Sequence, residues 1–271
     1  MPHAPVVRAA IALTAAALAA CRDLPPTAAP AAAERPQLIT NGTPTGTTYG
    51  NVGALLIDVG ADFVAEFLCT GTLVSPTVFL TAGHCTSFPA GTQYFVSFQP
   101  VISAPFIQAT AAHTHPAFSF PFNDLGVVTL PAGSTTGITP APLPPLGYLD
   151  DAFARGGHAL TPAIMVGYGS TSLGRGNLEP TGGGERLVAE TRILQTLDEF
   201  LILASNAVNA GKGGSCFGDS GGPIFLEGDA ASTIVGVTSF VTDGRCIVHS
   251  GYVRIDTETA RSFLDDFVAL P

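Results

Sequence analysis

The sequence predicts an all-β fold of two similar β-rich units followed by one C-terminal helix. Glycine and proline are frequent, with 31 and 22 residues in a chain of 271, which is typical of short strands joined by turns and not of a helix bundle. From about residue 50, short apolar runs alternate with clusters of Gly, Pro, Ser and Thr, without any βαβ alternation. The Pro-rich segment 138–147 cannot be a central strand and therefore divides the body into two units.

The individual elements follow from the local hydrophobic period. Strands are predicted where an apolar run is bounded by turn residues. They are Ala54–Val59, Tyr94–Phe98, Leu125–Leu130, Ala163–Val166, Ile234–Phe240 and Tyr252–Ile255. In Asp256–Leu270 the period becomes helical, and Asp256 or Thr257 can cap the N-terminus of this helix. The apolar face of the helix consists of Ala260, Phe263, Leu264, Phe267 and Val268.

The composition excludes several classes of protein. Only 12% of residues are charged and 46% are apolar, so the chain is not intrinsically disordered. The net charge of −10 argues against a nucleic-acid partner, because phosphate binding needs clustered Lys and Arg. We therefore expect a globular domain that does not bind nucleic acid.

The N-terminus is predicted to be a targeting segment. The apolar run at residues 9–20 is shorter than the roughly 20 residues that a membrane-spanning helix needs, and it suits a secretory signal. It ends in Leu18-Ala19-Ala20-Cys21, which resembles the bacterial lipoprotein signal, in which the cysteine is lipidated and becomes the new N-terminus. The alternative is an ordinary signal peptide with an incidental cysteine. Residues 21–38 are rich in Pro and Ala and are predicted to be a tether or propeptide ahead of the domain 39–271.

The number of cysteines fits an exported protein with one lipidated residue. The chain has five cysteines, and an odd count in an exported protein leaves one to explain. If Cys21 takes a lipid, four remain for two disulfides, which export permits. Four cysteines allow three pairings, and the count alone does not choose among them.

Three segments carry residues typical of nucleophilic catalysis. They are Leu80–Cys85 with His84, Phe122–Val128 with Asp124, and Gly214–Pro223 with Ser220. A serine hydroxyl needs a nearby base, and the base needs an acid that orients it. Each residue alone has an ordinary structural explanation, as a core histidine, a turn cap or a loop serine. The three motifs together favour a catalytic site.

These motifs identify a resemblance to the chymotrypsin/trypsin family of serine endopeptidases, from about Ile39 to the C-terminus. The order His84, Asp124, Ser220 is that of the family, and TAGHC and GDSGGP are its motifs. The resemblance implies two antiparallel six-stranded β-barrels with the active site between them. Barrel 1 is expected at about 39–145, barrel 2 at about 146–255 and the helix at 256–270.

The resemblance also implies a role for each motif residue. His84 would be the general base, Asp124 would orient it, and Ser220 would attack the scissile carbonyl. The N–H groups of Gly218 and Ser220 would form the oxyanion hole. The family's disulfides correspond to Cys69–Cys85 and Cys216–Cys246.

The sequence departs from the trypsin-type members at the specificity pocket. Gly214 stands where these members have an Asp, and Val241 stands where they have Gly. Cleavage after Arg or Lys is therefore not expected, and a small or medium apolar residue before the cut is predicted. The predicted pocket residues are Gly214, Ser215, Ser239, Val241 and Ser250.

Activation is a second departure. Ile39-Thr40-Asn41-Gly42 resembles the family's freed N-terminus, and Asp219 corresponds to the acid that pairs with it. Leu38 precedes Ile39, so a trypsin-type cut is not expected, and cleavage there would separate the domain from Cys21. Two hypotheses stay open: activation releases a stored precursor, or the tethered form is active without cleavage.

The sequence thus predicts an exported serine endopeptidase that acts on polypeptides as a monomer and is held at the bacterial envelope by a lipid on Cys21. No cofactor and no metal site are expected, since the pair His113 and His115 fits the family's His-Pro turn. Cleavage near Ile39 would release the domain to the periplasm or medium. The alternatives are a non-catalytic binding lipoprotein on the same fold and an esterase.

Overall fold

The strands of the described residues form two seven-stranded antiparallel sheets and one two-stranded sheet, in which Ser172–Leu173 pairs with Pro180–Thr181. A computed structural model describes residue 39 and residues 42–58, 65–154, 160–170, 172–173, 180–181, 183–205, 213–226 and 233–271. In chain order the strands are β1 (Thr43–Pro44), β2 (Val52–Asp58), β3 (Glu66–Ser75), β4 (Val78–Thr81), β5 (Gln93–Ser97), β6 (Ile107–Gln108), β7 (Ala111–Thr114), β8 (Gly126–Thr129), β9 (Thr161–Gly167), β10 (Ser172–Leu173), β11 (Pro180–Thr181), β12 (Leu187–Thr196), β13 (Phe200–Ala204), β14 (Pro223–Leu226), β15 (Ile234–Val241) and β16 (His249–Arg254). The signal and tether predicted for residues 1–38, with Cys21, lie outside the described residues.

The C-terminal sheet is a closed barrel. Its order is β1-β12-β13-β16-β15-β14-β9, and a further pairing of β12 with β9 closes six of these strands into a ring. Along β12 the inward residues Leu187, Ala189, Thr191 and Ile193 are buried. This alternation with exposed or half-buried positions is the pattern of a strand with one face in a core.

The N-terminal sheet is curled and has the order β6-β5-β2-β3-β4-β8-β7. Between β6 and β7 the chain crosses from one sheet edge to the other, since Ala109 N–H donates to the Tyr94 carbonyl and Thr110 N–H to the Thr129 carbonyl. The predicted all-β fold is confirmed, with one six-stranded barrel closed by pairing and one curled half-barrel. The segment 138–147 connects the two, as the sequence predicts.

Two short helices accompany the sheets. α1 (Tyr148–Ala154) was not predicted, and α2 (Glu258–Leu264) is shorter than the predicted helix 256–270 because the chain turns at residues 265–267. Thr257 is the N-cap, and its hydroxyl accepts the Ala260 N–H. Among the described residues, no helix is long and apolar enough to cross a bilayer.

A buried arginine joins the two sheets. The Arg186 side chain is 1% exposed and precedes β12. Its Nη1 donates to the carbonyls of Val52 at 2.9 Å and Phe98 at 3.0 Å, both in the N-terminal half. The Tyr168 hydroxyl donates to the Gln99 carbonyl at 2.7 Å beside it. Since buried donors are costly when unpaired, these bonds fix the relative position of the two halves on which the site depends.

Candidate active site

A cleft of about 550 Å³ contains residues from both halves of the domain. His84 comes from the N-terminal half, and Ser220 comes from the loop before β14. Phe120, Phe217 and Phe240 supply aromatic walls, and Phe120 lies edge-on to the His84 ring with 5.7 Å between centroids. The structure therefore brings the predicted nucleophile and the predicted base into one partly apolar cleft.

His84 and Asp124 are joined by two hydrogen bonds. His84 lies in the 3₁₀ helix Gly83–Cys85, which the disulfide Cys69–Cys85 ties to β3. Its Nδ1 lies 2.8 Å from Asp124 Oδ2, and its backbone N–H donates to Oδ1 at 2.7 Å. The carboxylate of Asp124 accepts hydrogen bonds only, so Nδ1 carries the proton and Nε2 is the basic nitrogen.

The Asp124 carboxylate is fully buried and accepts a third hydrogen bond. Ser239 Oγ, from β15, donates to Oδ2 at 2.6 Å. The Asp124 side chain is 0% exposed, whereas that of His84 is 30% exposed. Ser239, a predicted pocket residue, lines the cleft, and its hydroxyl is directed to this carboxylate. The resulting network orients the His84 ring and leaves it accessible from the cleft.

The loop that carries Ser220 is hydrogen-bonded to both halves. The Ser220 carbonyl accepts the Thr70 N–H of β3 at 2.8 Å, and the Gly221 N–H donates to the Thr238 carbonyl of β15 at 2.7 Å. Gly221 has a φ of +84°, and a Cβ there would lie 2.1 Å from Thr81 Oγ1. Only glycine fits this turn, which holds Ser220 between the two halves.

The peptide group between Phe217 and Gly218, which carries one of the predicted oxyanion donors, is held by a hydrogen bond. The Phe217 carbonyl accepts the Ser170 N–H at 2.8 Å. Because a trans peptide directs its C=O and N–H to opposite sides, the Gly218 N–H points away from Ser170. Gly218 has a φ of +92°, and a Cβ there would lie 2.8 Å from the Phe67 ring. The predicted donors Gly218 and Ser220 thus belong to one constrained turn.

Asp219 is a buried carboxyl group held by backbone donors. Its side chain accepts the Gly169 N–H at 2.8 Å and the Cys216 N–H at 2.9 Å. Burial raises the pKa of Asp219 from 3.8 to about 7, although these two hydrogen bonds act in the opposite direction. A Cβ on Gly167 would lie 2.2 Å from the carboxyl group, so the glycines of the Gly-Tyr-Gly segment make room for it.

Ile39 lies in the core of the C-terminal barrel. It is fully buried in a cluster that includes Leu187, Met165 and Tyr252. Residues 40 and 41 of the predicted activation motif lie outside the described residues. The structure therefore shows where the Ile39 side chain lies, whereas the Leu38–Ile39 bond is outside the described residues.

The predicted specificity-pocket residues lie at different depths in the fold. Val241 packs against the disulfide Cys216–Cys246. Gly214 is packed against Ser205, since a Cβ there would lie 2.7 Å from the Ser205 Cβ. Ser205 Oγ also lies 3.4 Å from Ser250 Oγ. Val241 lines the cleft directly, whereas Gly214 and Ser250 are buried deeper in the fold.

Ser215 is the remaining predicted pocket residue. It is fully buried beside Tyr252. Burial raises the pKa of the Tyr252 phenol to about 12, and Ser215 Oγ has no hydrogen-bond partner among the described residues. Neither Ser215 nor Tyr252 lines the cleft.

The histidine pair of the N-terminal half packs against α2. The His113 ring lies 4.8 Å from the Phe267 ring, and the His115 ring lies 5.0 Å from that of Phe263. Burial lowers the pKa of His115. Among the described residues, the only set of three or more His, Cys, Asp or Glu side chains close enough to hold a metal ion is Cys69, His84 and Cys85, and both cysteines are disulfide-bonded.

Sequence reasoning missed residues that hold the motifs in place. Thr70 bonds to Ser220 and Gly218, and Glu199 accepts the backbone N–H of Asn123, next to Asp124. These contacts join residues far apart in the chain. The one local signal is the position of Thr70 directly after Cys69.

The chain is similar in sequence to a known family and to named proteins. The trypsin family model matches residues 53–260. Glucanase inhibitor protein 1 of Phytophthora sojae is 29% identical over 227 residues, which cover 75% of this chain and 81% of that protein. Glucanase inhibitor protein 4 of Phytophthora infestans is 29% identical over 210 residues, or 72% of this chain and 76% of that protein.

A solved structure supports the fold. The structure of HL collagenase is similar, with a TM-score of 0.66 and 19% identity, and the match covers 85% of this chain and 99% of that one. At this level of identity the likeness concerns the fold alone.

Proposed function

Because the chain belongs to the trypsin family, we propose that it is a serine endopeptidase whose nucleophile is Ser220. The observation that carries this proposal is the buried network around Asp124. Its carboxylate accepts bonds from the Nδ1 of His84 at 2.8 Å and from Ser239 Oγ at 2.6 Å. His84 and Ser220 line the same cleft. A network that fixes one histidine tautomer next to a serine is what acyl transfer needs.

Acylation starts with proton transfer from Ser220 Oγ to His84 Nε2. As Oγ attacks the peptide carbonyl carbon, the C–O bond forms and the carbonyl oxygen becomes an oxyanion. The imidazolium is stabilised by the Asp124 carboxylate, and its Nε2 proton then passes to the leaving amine as the C–N bond breaks. In deacylation His84 takes a proton from a water molecule, which attacks the acyl carbonyl carbon. The bond to Ser220 Oγ then breaks, Oγ takes the proton back from His84, and the acyl group leaves as a carboxylic acid.

The oxyanion is stabilised by the N–H groups of Gly218 and Ser220. The orientation of the Gly218 N–H is supported by the bond between the Phe217 carbonyl and the Ser170 N–H. Backbone donors that are already oriented do not have to reorganise as charge develops. This preorganisation supplies the larger part of the expected acceleration.

We propose that the residue before the cut is small or medium-sized and apolar. Val241 lies against the Cys216–Cys246 disulfide at the cleft and restricts its depth. Gly214 carries no carboxylate to pair with Lys or Arg. A branched residue at this position should narrow the pocket, as in the elastase-like members of the family.

We further propose that the uncut, tethered chain is active. In the full-length chain Asp219 already has two backbone hydrogen-bond donors, and the Gly218 turn is formed. The two disulfides are typical of an exported protein. Lipidation of Cys21 would then keep an active protease at the envelope. N-terminal sequencing of the active species tests this, since a terminus at Ile39 would show that cleavage is required.

A second candidate function is inhibition of a glucanase by binding. The names of two relatives that are 29% identical suggest it. A binding function of this kind would depend on a surface and would not need Ser220. The complete hydrogen-bonded network around Asp124 favours hydrolysis, and an esterase would use the same network.

Cleavage of a denatured protein separates these functions. The mature protein and its Ser220→Ala variant are incubated with reduced, carboxymethylated protein substrate, and new N-termini are sequenced. We expect cleavage after small or medium apolar residues by the wild type only. Ester turnover without protein cleavage would indicate an esterase. Inhibition of a glucanase by both the mature protein and Ser220→Ala would indicate the binding function.

A further inference from the structure

The side chain of Thr70 bridges two segments of the active site. Thr70 lies in β3 of the N-terminal half and is fully buried. Its Oγ1 donates to the Gly218 carbonyl at 2.8 Å and accepts the Tyr168 N–H at 3.0 Å. One hydroxyl group therefore connects the loop before Ser220 with the segment that follows β9.

The backbone of Thr70 holds the same region. Its N–H donates to the Ser220 carbonyl at 2.8 Å, and its carbonyl accepts the Thr81 hydroxyl at 2.8 Å. These bonds do not depend on the side chain, so a substitution at Thr70 leaves them in place. The contribution of the hydroxyl can thus be measured apart from that of the strand.

The two peptide planes beside Gly218 are each held by their carbonyl group. The preceding plane is held where the Phe217 carbonyl accepts the Ser170 N–H, and the following plane is held where the Gly218 carbonyl accepts the Thr70 hydroxyl. Gly218 has a φ of +92°, and because it has no Cβ its backbone can adopt other φ values at little steric cost. The Gly218 N–H lies in the preceding plane, whose direction also depends on rotation about the N–Cα bond of Gly218. The Thr70 hydroxyl restrains the other side of this bond, together with the Asp219 N–H, which donates to the Cys216 carbonyl at 3.0 Å.

We propose that Thr70 is a positioning residue for the oxyanion hole, acting through the hydrogen bond from its hydroxyl to the Gly218 carbonyl. This inference rests on the proposed hydrolytic function. The hydroxyl stabilises the tetrahedral intermediate indirectly, by keeping the Gly218 N–H directed at the developing oxyanion. It does not touch His84 or Asp124, so it leaves proton transfer unchanged.

The test compares two threonines of the same strand. Thr72 is also fully buried in β3, and its hydroxyl has no hydrogen-bond partner among the described residues. Thr70→Val and Thr72→Val each remove one buried hydroxyl and keep a β-branched side chain of nearly the same volume. Thr70→Ser restores the hydroxyl in the smaller side chain.

The kinetic readouts distinguish positioning from a general structural effect. For a peptide substrate we expect Thr70→Val to lower kcat by about tenfold to a hundredfold, with KM within about twofold of the wild type. The pH dependence of kcat/KM should not change. Affinity for a peptide boronate, which mimics the tetrahedral intermediate, should fall in proportion to kcat/KM. Thr72→Val and Thr70→Ser should each stay within about threefold of the wild type.

The outcomes separate this inference from the proposed function. An active wild type with equal kcat for Thr70→Val and Thr72→Val would overturn the role of Thr70 and leave the proposed function intact. A higher KM or a shifted pH profile in Thr70→Val would also overturn it, if the boronate affinity stays at the wild-type value while kcat/KM falls. A wild type without any turnover would overturn the proposed function, and the role of Thr70 with it.

Discussion

Replacing Asp219 by Asn is expected to remove a large part of the pH dependence of stability in the uncut chain. Asp219 is 1% exposed, and burial raises its pKa from 3.8 to about 7. The native state therefore binds a proton that the unfolded state has already released between these two pH values. Because the native state holds more protons in this range, the free energy of unfolding falls as pH rises.

The magnitude follows from the size of the shift. A rise from 3.8 to about 7 corresponds to roughly 4 kcal/mol between the acid limit and pH above 8. The stabilising contribution is fully present below pH 3.8 and is lost as pH rises through about 7. About 2.5 kcal/mol of the loss falls between pH 5 and pH 8, which is large against the total stability of a domain.

The assay is denaturant unfolding of the wild type and Asp219→Asn at pH 5 and pH 8. The variant is expected to be less stable at pH 5, because its amide group cannot accept from both Cys216 N–H and Gly169 N–H. The informative quantity is the change in the free energy of unfolding from pH 5 to pH 8, compared between the wild type and the variant. Burial lowers the pKa of His115, but His115 titrates in both proteins and cancels in this difference.

Two results would refute this reasoning. Parallel pH dependence in both proteins would mean that the Asp219 carboxyl group does not titrate near neutrality. A wild type that gains stability relative to the variant from pH 5 to pH 8 would mean that a cation pairs with Asp219. The second result would favour a freed Ile39 amine in the active protein over the tethered, uncut form.

Substitutions at three further positions test separate parts of the site. Val241→Gly should deepen the pocket. In a peptide library the ratio of kcat/KM for Phe to that for Ala before the cut should rise at least about tenfold, and an unchanged ratio would contradict this. Glu199→Ala should lower kcat/KM about tenfold by releasing the Asn123 N–H. Glu199→Gln keeps an acceptor oxygen and should stay within about threefold of the wild type. Equal activity of the wild type and both variants would exclude a role of Glu199 in positioning Asn123. Ser239→Ala removes a donor to Asp124 and should lower kcat about tenfold in steady-state assays; wild-type kcat would show that the bond is dispensable.

The six strands predicted from the sequence each contain an apolar run, but such a run was not sufficient, since the apolar β13 (FLILA) was missed. β2 is buried at every position, and its sequence is correspondingly apolar. β12 was missed because its inward positions include Ala189 and Thr191, which weaken the alternation. The Thr191 hydroxyl is tolerated inside because it donates to the Ala204 carbonyl at 2.7 Å. A strand stabilised by such a pairing shows too little hydrophobic contrast to be found from one sequence.

The motif residues could be found from sequence because their chemistry is local. Glycines next to a serine, and a histidine next to a cysteine, are visible in a few consecutive letters. The contacts that hold them are not local, since Thr70 and Gly218 lie 148 residues apart and Asn123 and Glu199 lie 76 residues apart. Only the packing of the two halves brings such pairs together, so no pattern in the chain predicts them.

Labelling with a fluorophosphonate tests the central claim most directly, because this reagent reacts with a serine that a base has activated. The full-length mature protein is treated with the probe, and the modified peptide is mapped by mass spectrometry beside Ser220→Ala and His84→Ala. The account predicts stoichiometric modification of Ser220 in the wild type and none in either variant. A folded wild type that stays unmodified would contradict an assembled Ser220–His84–Asp124 triad.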